Sequence, residues 1–517
     1  MAVAGVAAAA PASAAPVLVL RDGHVRVRDE RFPGRSDLSP PAPPDRTPAD
    51  RARARAGRSG GPTGERARAA ARTERRRSPP QGPSAPPNPS GVPARQALDQ
   101  LLASGQIDQP THDAHVASLD HALSAWGRLT GTRQAELGAV IDNADSIASS
   151  GQLTVPRLGA VFSTLDANTQ WWTSGPLLSQ GQRVSVGSSP LVWEYYPGQG
   201  IELQMLANFS KANGLWDSGS NGALRNLLGQ LVPLAADRGG WPAWEYYFQF
   251  DGGMPPWTSS ISQGTAVQAL ARAGQRLHDP SLTSLGQRAL TAFLVPPPVG
   301  VRLDTGTGPF YLIYSFSTTQ QVINAHLQAV IGLHDFWQIT GDQVAQTLFQ
   351  QGDTEAQAVL PRYDTGHWSL YDQSTESDLS YHQLLITFLD NLCQRTNAPI
   401  YCDTATRFRQ YMTEPPTVTP ITMKIRSGGP ARLSFSLDKI SHVGVAVSNG
   451  KGSTAFSTSG TVGRGQHYFT WPSPASPGRY QLRLSATDLA GNHAKPATAT
   501  LQISPGRKHP SRGRARH

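Results

Sequence analysis

Cysteine is almost absent from this chain of 517 residues, which holds only Cys393 and Cys402. Two cysteines cannot supply the four ligands of a structural zinc site, and no histidine–carboxylate spacing indicates another metal, so we expect none. In an exported protein the two thiols would form one disulfide, whereas in a cytosolic protein they would remain inert buried thiols. We favour the disulfide.

Long apolar runs are also missing, since no stretch reaches the roughly 18 to 20 apolar residues that a membrane-spanning helix needs. Residues 1–15 contain a short Ala-rich run that ends in Ala-Ser-Ala-Ala, as at a signal-peptidase site, but no basic segment precedes it. We interpret residues 1–15 as the remnant of a signal peptide with an upstream start. The expected location is therefore secreted or on the cell surface.

Aromatic side chains are scarce in residues 16–92, where Ala, Pro, Gly and Arg dominate. Such a segment cannot bury enough apolar surface to offset the entropy lost on ordering, so we expect a disordered leader. A short basic tail is expected at residues 506–517.

A basic binding face is lacking despite the sequence pI of about 9.7. Residues 1–90 hold 16 Arg against 8 acidic residues, and residues 507–517 add five positive charges, so the chain's net charge of +9 leaves the middle at −4. Without a basic stripe interleaved with aromatics, we expect no nucleic-acid partner. The tails favour a solvated linker, with weak contact to an acidic cell wall or polymer as the alternative.

Residues 93–414 show helical periodicity, because apolar residues recur at intervals of three and four between Gly, Pro and Asn. Aromatic, extended pieces at 192–200, 241–253 and 309–317 separate some of the helices. This alternation predicts a mainly α toroid of paired helices with short β segments and a central cleft. The predicted helices span 94–103, 112–129, 132–148, 201–213, 221–235, 262–277, 281–294, 319–338, 343–359, 380–394 and 403–412.

Residues 415–505 change to a period of two, with turn signals such as Asn449-Gly450 and Pro477-Gly478. Short alternating strands at this spacing predict an all-β sandwich. The late turn, in which Ala486, Asp488 and Ala490 precede Gly491-Asn492, resembles that of bacterial immunoglobulin-like modules. We expect an accessory spacer, with carbohydrate binding as the alternative.

The most informative stretch is 362–385, where titratable side chains crowd a loop that runs into an apolar helix. Catalytic groups are often carried by such loops on a rigid scaffold. Phenols and imidazoles there indicate proton transfer. The side chains concerned are Tyr363, Asp364, His367, Tyr371, Asp372, Tyr381 and His382.

Ordered motifs between about 190 and 412 resemble the catalytic C-terminal domain of the D-glucuronyl C5-epimerases. Each motif alone is weak, but their order and spacing together make chance an unsatisfactory explanation. The resemblance implies an (α/α) toroid. The motifs are Gly239-Gly240-Trp241-Pro242, Trp257 with Gln263-Gly264, Val322-Ile323-Asn324, Ile331-Gly332-Leu333 with Asp335, Tyr363-Asp364-Thr365-Gly366, Tyr371-Asp372 and Tyr381-His382.

The resemblance implies an isomerase that removes the proton on carbon 5 of a glucuronyl residue in a polysaccharide and returns it from the opposite face. The product would be an iduronyl residue. Two proton carriers must face each other across the ring, and the adjacent carboxylate must be neutralised or hydrogen-bonded. The reaction implies no cofactor, and the expected partner is a uronic-acid-containing polysaccharide.

Matching positions assign Tyr371, Tyr381 and Tyr314 as the candidate proton carriers. His382, Asn324 and His326 would line the cleft, as would Trp257 and Gln263 from their motif. A structural role is the alternative for each tyrosine, because buried tyrosines often only satisfy a backbone carbonyl. For His382, capping or packing is the alternative.

Two positions depart from the family pattern. Ile313 stands where vertebrate-like members have glutamate, and Ser374 stands where they have arginine. A candidate base and a cation for the uronate are therefore missing. Arg362 is one candidate replacement for the cation, beside Arg302, His367 and His382.

Carboxylates in the aromatic loops suggest alternative functions for the protein. Glu194 and Glu245 each lie in a Trp-Glu-Tyr-Tyr sequence, followed by Glu202 and Asp251. Two opposed carboxylates would make a toroid a glycoside hydrolase. Glu194 and Glu245 are also predicted to bind substrate, because each loop could stack a sugar ring while its carboxylate accepts from a hydroxyl; a buried aromatic core with one solvated acid is the structural alternative. The rivals are a uronate lyase or hydrolase on the same toroid and a non-catalytic glycan-binding protein.

Overall fold

This computed structural model describes residues 15–30, 89–421, 425–472 and 476–505. Outside the described residues lie almost all of the predicted signal remnant, the greater part of the predicted leader and the predicted basic tail at 506–517.

The chain divides into two compact units that do not follow the predicted boundary at residue 414. Of the described residues, the first unit contains 15–30, 89–361 and 387–401. The second contains 362–386, 402–421, 425–472 and 476–505. The tyrosine-rich segment therefore belongs to the same unit as the C-terminal strands.

Twelve α-helices occur in the described residues. They are α1 (Val92–Ala103), α2 (Gln109–Arg128), α3 (Gly131–Ser149), α4 (Val155–Ser174), α5 (Met205–Asp217), α6 (Asn221–Leu231), α7 (Ser260–Leu277), α8 (Pro280–Ala289), α9 (Ile323–Thr340), α10 (Gln343–Val359), α11 (Leu379–Thr396) and α12 (Pro399–Tyr411). The predicted fold class, a mainly α (α/α) toroid followed by an all-β region, is confirmed.

Helix α7 is central to the first unit, where it packs against α5, α8 and α9. Glycines permit its close approach to α9. A Cβ added to Gly264 would lie 2.6 Å from Ala329 Cα, and one added to Gly332 would lie 2.1 Å from the Gly264 carbonyl oxygen. The Gln-Gly and Ile-Gly-Leu motifs thus serve helix packing at their glycines.

Two predicted helix boundaries are confirmed. Asp279 precedes α8 and its side chain accepts a hydrogen bond from Ser281 N. Gly341 ends α9 at φ 72°, and Asp342 then caps α10 by accepting from Ala345 N. These contacts satisfy backbone groups that a helix end leaves without partners.

Two helical predictions need correction. Helix α4 (Val155–Ser174) was missed, because polar residues such as Arg157, Thr164 and Asn168 lie on its buried face and obscure the apolar periodicity. The predicted helix at 201–213 begins only at Met205, since residues 200–203 form a strand.

The N-terminal leader prediction is wrong for residues 15–30. Strands β1 (Ala15–Arg21) and β2 (His24–Glu30) form a hairpin that joins a five-stranded sheet. Val17 and Leu20 of β1 are fully buried. A local run of alternating Val and Leu within a polar, Arg-rich region therefore folds by docking on distant strands, which average composition does not reveal.

The sheet has the order β2-β1-β3-β4-β5, and its remaining strands are β3 (Arg183–Val186), β4 (Trp193–Tyr196) and β5 (Gly200–Leu203). Strand β1 pairs in parallel with β3, and the other neighbours are antiparallel. Two small hairpins complete the first unit: β6 (Ala236–Asp237) with β7 (Pro242–Ala243), and β8 (Arg302–Asp304) with β9 (Pro309–Tyr311).

The C-terminal strands form two sheets over an apolar core that includes Phe435, Val445 and Leu484. One sheet has the order β10-β12-β15 and the other β11-β17-β16-β13-β14. The immunoglobulin-like assignment stays a prediction. The strands are β10 (Val418–Pro420), β11 (Ile425–Arg426), β12 (Ala431–Leu437), β13 (Ser441–Asn449), β14 (Thr454–Val462), β15 (Gly465–Trp471), β16 (Gly478–Asp488) and β17 (Ala497–Ser504).

Candidate active site

Tyr314 lies in an aromatic segment that follows β9 and pairs with the chain just before α7. Ser315 N donates to Thr258 O at 2.9 Å, which fixes the backbone beside the tyrosine. The Tyr314 ring is buried, stacks on Phe316 at 5.1 Å and meets Trp257 edge-on at 5.7 Å. The predicted Tyr314 and Trp257 are therefore brought together in one aromatic cluster.

Tyr371 and Tyr381 are also brought together, although nine residues separate them in the chain. Their ring centroids lie 4.7 Å apart in an edge-to-face arrangement, and both side chains are at most 3% exposed. Asp378 places Tyr381 at the start of α11 by accepting from its backbone N at 2.8 Å. Two phenols are thus held side by side at a loop–helix junction.

Asp372 shapes the turn that follows Tyr371. Its Oδ1 accepts from Ser374 N at 2.8 Å and from Thr375 N at 2.7 Å. Tyr371 N in turn donates to Thr375 O at 2.7 Å. The aspartate of the Tyr-Asp motif therefore stabilises the turn, since Asp side chains commonly accept hydrogen bonds from nearby backbone N–H groups in turns.

His382 was predicted to bind substrate, and its surroundings in the structure correct that prediction. The imidazole is fully buried, with Nδ1 2.7 Å from Ser369 Oγ and Nε2 2.9 Å from Phe408 O. It also stacks on Trp368 at 3.9 Å. Burial lowers the pKa of His382 to about 4, so the ring is neutral near pH 7. Packing, the structural alternative, describes its role.

His326 needs the same correction. Its Nδ1 accepts from Tyr311 N at 3.0 Å, its Nε2 lies 3.0 Å from Gly352 O, and burial lowers its pKa to about 3. Both ring nitrogens therefore join α9 to its neighbours. Asn324, at the first turn of α9, is buried.

Glu245 is held by two guanidinium groups. Arg157 Nε donates to Oε2 at 2.7 Å, and Arg238 Nη1 donates to Oε1 at 2.5 Å. The Glu245 carboxylate has no exposed surface. A carboxylate committed to two cations does not act as a general acid, so its predicted substrate-binding role is replaced by a structural one.

Arg238, which sequence reasoning missed, connects this ion pair to Tyr314. Its Nη2 donates to Pro298 O at 2.7 Å and to Ser315 Oγ at 3.4 Å, while Nε donates to Val299 O at 2.7 Å. Arg238 therefore braces the segment beside Tyr314. A lone arginine before Gly-Gly-Trp-Pro carries no sequence signal for such a role.

Glu194 and Glu202 lie directly opposite each other on β4 and β5. Glu194 accepts from Arg183 Nε at 3.2 Å, and both carboxylates are buried. For Glu202, burial raises the pKa well above its usual range, and a hydrogen bond with Asn143 offsets this only in part. Burial therefore favours the protonated form of Glu202 over the ionised form.

Trp257 and Gln263 hold the loop that precedes α7. Trp257 Nε1 donates to Phe248 O at 2.8 Å, and its ring stacks on Tyr246 at 4.4 Å. Gln263 Nε2 donates to Trp244 O at 2.8 Å. Both side chains are buried, so the Trp and Gln of this motif support the loop.

The two residues that depart from the family pattern, Ile313 and Ser374, have structural roles. Ile313 is buried, and Ser374 is exposed with its hydroxyl donating to Asp372 at 3.1 Å. Neither provides a base or a cation.

The proposed replacement cations differ in their surroundings. Arg302 is committed to Asp304 at 2.9 Å and to Gln351 at 3.1 Å. His367 is half exposed and lies 3.9 Å from Asp438. Arg362 is exposed on a short 3-10 turn, Leu360–Tyr363.

A cavity of about 250 Å³ lies between α5, α7, α9 and residues 387–395. One end is lined by Leu206 and Ile261, and the other by Arg272 and Arg395. At 1.5 Å per residue, Arg272 lies about 16 Å along α7 from Ile261. The two guanidiniums therefore concentrate positive charge at one end of the cavity.

Asp335 neutralises part of this charge. Arg272 Nη2 and Arg395 Nη2 each donate to its Oδ2 at 2.8 Å. Burial raises the pKa of the Asp335 carboxyl, but hydrogen bonds from Arg395 and His334 outweigh it and hold the pKa well below its usual range. The aspartate of the Ile-Gly-Leu motif is therefore an ion-pair residue.

Three further observations concern the predicted sites. Cys393 and Cys402 are disulfide-bonded. In the part of the chain that the structure describes, no three His, Cys, Asp or Glu side chains cluster as metal ligands. None of the described helices is long and apolar enough to cross a membrane.

The paired helices define this protein as an (α/α) toroid. Its buried tyrosine pair is a candidate acid–base site. A family model described as the D-glucuronyl C5-epimerase C-terminus matches residues 238–410. This match confirms the predicted resemblance to that family over these residues. The match includes Tyr314, Tyr371 and Tyr381.

Curated relatives match over shorter stretches. A D-glucuronyl C5-epimerase of Caenorhabditis elegans is 30% identical over 158 residues, or 28% of this chain and 26% of that protein. An uncharacterized protein of Methanocaldococcus jannaschii is 26% identical over 136 residues, or 25% of this chain and 44% of that protein. The chain thus spans less than half the length of either relative.

Solved structures resemble the chain only distantly. A cellobiose 2-epimerase from Bacillus thermoamylovorans B4167 is 9% identical with a TM-score of 0.34, covering 49% of this chain and 70% of that chain. The endo-β-1,4-glucanase CMCax from Acetobacter xylinum is 12% identical with a TM-score of 0.30, covering 40% and 67%. Likeness at this level carries no argument about function.

Proposed function

We propose that this protein inverts carbon 5 of D-glucuronyl residues within an extracellular polysaccharide and produces L-iduronyl residues. The observation that carries the proposal is the buried Tyr371–Tyr381 pair, with ring centroids 4.7 Å apart, inside the stretch that matches the epimerase family. The family match supports a carbohydrate epimerase. The glucuronyl substrate and the action at carbon 5 are the proposed part.

The reaction requires one group to take the carbon 5 proton and another to deliver a proton to the opposite face. Atoms balance without a redox cofactor, because one proton leaves and one returns. An ordinary phenol has a pKa of about 10 and so suits the acid role, whereas a base role needs a neighbour that favours the phenolate. We assign proton transfer to Tyr371 and Tyr381, and Tyr314 is the third candidate proton carrier.

The adjacent carboxylate must also be stabilised as charge develops on the ring. With Ile313 and Ser374 in place of the family's glutamate and arginine, this chain offers neither of those groups. Arg362 is the proposed cation, because its guanidinium is exposed beside the Tyr363-Asp364 motif.

Hydrolysis is disfavoured by the state of the carboxylates. A glycoside hydrolase needs two available carboxyl groups, about 5 to 10 Å apart. Glu245 is committed to Arg157 and Arg238, and Glu194 accepts from Arg183. A uronate lyase remains the nearer rival, because it begins with the same proton abstraction, and a non-catalytic glycan-binding protein is the other.

A solvent-exchange assay tests the proposal. Wild-type protein incubated with a glucuronan in D2O should introduce deuterium at carbon 5 without chain cleavage. Tyr371→Phe and Tyr381→Phe should each lower the exchange rate by about 10²- to 10⁴-fold, the usual loss for a general acid or base. Tyr480→Phe is the matched control, because that phenol donates to Ser476 O in the β region and should leave the rate unchanged.

Each alternative has its own signature in this assay. Unsaturated ends would identify a lyase, new reducing ends without unsaturation a hydrolase, and binding without exchange a glycan-binding protein. Normal exchange in both tyrosine variants would refute the assigned proton carriers.

A further inference from the structure

Glu376 lies midway between Tyr371 and Tyr381, and its carboxylate contacts the C-terminal strands. Oε1 accepts from Ile440 N at 3.0 Å, and Oε2 accepts from Arg464 N at 2.6 Å. Ile440 lies between β12 and β13, and Arg464 lies between β14 and β15. One side chain of the tyrosine loop therefore joins two turns of the β region.

Movement of Glu376 would be transmitted directly to Tyr371. Residue 376 pairs with Leu370 in an isolated antiparallel bridge, and Tyr371 N donates to Thr375 O at 2.7 Å. These bonds make the stretch from 370 to 376 a closed turn whose two ends are linked. The Glu376 carboxylate anchors one end of that turn.

Lys439 makes a second connection on the Tyr381 side of the loop. Its ammonium is 2.7 Å from Asp488 Oδ2, 2.8 Å from Tyr411 O and 5.6 Å from the centre of the Trp368 ring. Trp368 stacks on His382, the residue after Tyr381. The cation thus lies over an aromatic stack adjoining the second tyrosine, a favourable placement for a cation and an indole.

Burial makes these contacts informative. Glu376 is 7% exposed and Lys439 is 1% exposed. Withdrawing a carboxylate and an ammonium from water costs several kcal/mol per ion unless hydrogen bonds and opposite charges compensate. An accessory spacer would not require a buried carboxylate and a buried ammonium in contact with the loop that carries Tyr371 and Tyr381. The contacts therefore argue against the predicted spacer role.

We infer that the C-terminal β region positions the candidate active-site loop, because the contacts made by Glu376 and Lys439 fix the loop that holds Tyr371 against Tyr381. Glu376 is a positioning residue that acts through the loop and does not contact the substrate. The structural part of this inference stands on the contacts alone. Its consequence for catalysis rests on the proposed function.

Glu376→Gln is the sharpest test, because it preserves side-chain size while placing an amide NH2 where one backbone N–H needs an acceptor. The full chain is compared with Glu414→Gln, a matched control whose side chain is exposed just after α12 in the same unit. Hydrogen exchange is measured in peptides covering 368–382, and peptides from α3 (Gly131–Ser149) report whether the protein remains folded.

We expect the 368–382 peptides of Glu376→Gln to exchange at least about tenfold faster, as for loss of a hydrogen bond to a charged group, while α3 peptides stay unchanged. Deuterium incorporation at carbon 5 should lose at least about tenfold in kcat with KM nearly constant, because the reacting groups are displaced. Glu414→Gln should match wild type in both measurements.

Unchanged protection of 368–382 in a folded Glu376→Gln protein would overturn the inference. If α3 also loses protection, Glu376→Asp, which keeps the charge, replaces it under the same criterion. Should wild type show no carbon 5 exchange, the proposed function fails, and the hydrogen-exchange comparison alone still decides whether the β region braces the loop.

Discussion

Glu245 in the first unit and Glu376 in the second both support a segment that carries a candidate tyrosine, but their partners differ. Glu245 accepts from two arginines, one of which also donates to Ser315 beside Tyr314. Glu376 accepts from two backbone N–H groups. Burial raises the pKa of Glu376, and the two N–H donors lower it only in part.

The comparison teaches that loss of a buried glutamate has different consequences in the two segments that carry candidate tyrosines. Removing Glu245 leaves two guanidiniums buried without their counter-ion. Removing Glu376 leaves two neutral N–H groups unsatisfied, which costs less. The Tyr314 segment should therefore depend on an ion pair for stability, whereas the Tyr371 loop depends on hydrogen bonds for position.

Glu245→Ala provides the largest expected effect. The variant should lose about 3–5 kcal/mol of unfolding free energy, the usual result of breaking a buried ion pair on one side. Glu376→Ala should lose about 1.5–3 kcal/mol. Urea unfolding of both variants measures the difference, and equal losses would contradict the comparison.

Acid should destabilise both units through their buried histidines. His382 has a folded pKa of about 4 against about 6.5 when unfolded, so the unfolded state binds a proton first as the pH falls. Its stabilising contribution is present above pH 6.5 and declines by about 3 kcal/mol towards pH 4. His326, with a pKa of about 3, extends the same loss to lower pH in the first unit.

NMR titration of the imidazole signals, together with unfolding free energies between pH 7 and pH 4, tests this expectation. His367, whose ring is half exposed, provides a reference imidazole signal in the same spectra. Titration of His382 and His326 near pH 6.5 would show that neither ring is held neutral by the fold.

Glu202 offers the smallest effect and extends the comparison to a buried carboxyl without a cation. Because its pKa is raised by burial, the folded state keeps a proton that the unfolded state releases above about pH 4.5. Stability should therefore fall as the pH rises, by up to about 1.4 kcal/mol per pH unit, until the folded carboxyl ionises.

Glu202→Gln removes that proton release, so its stability relative to wild type should grow between pH 5 and pH 8. Glu194→Gln is the matched control on the adjacent strand, where Arg183 already serves the carboxylate. A constant difference between wild type and Glu202→Gln across this range would show that Glu202 is ionised in the folded protein.

Local patterns in the sequence predicted most of the helical domain. Periodicity located α2 and α10 to within a few residues, and Asp279 and Gly341 marked real boundaries. It failed for α4, whose buried face includes polar residues such as Arg157 and Asn168. Their partners, Glu245 and Ile201, are distant in the chain, so local spacing does not reveal that these residues are buried.

Motif matching located the tyrosines better than it assigned the residues around them. It predicted Tyr371 and Tyr381 as one site, and their rings are in contact. It also selected His382 and His326, whose nitrogens are occupied within the fold. A motif does not distinguish a residue preserved for packing from one preserved for chemistry, because both requirements can maintain the same letters.

The sequence by itself determined the alternation of helices, the change to β structure after residue 415 and the family match, because these depend on spacing along the chain. Only the tertiary structure decided which carboxylates are committed to arginines, that residues 15–30 join a sheet and that Glu376 anchors the tyrosine loop to the β region. Such roles depend on burial and on tertiary partners, which for Glu376 lie 64 and 88 residues away, and local spacing carries no signal for them.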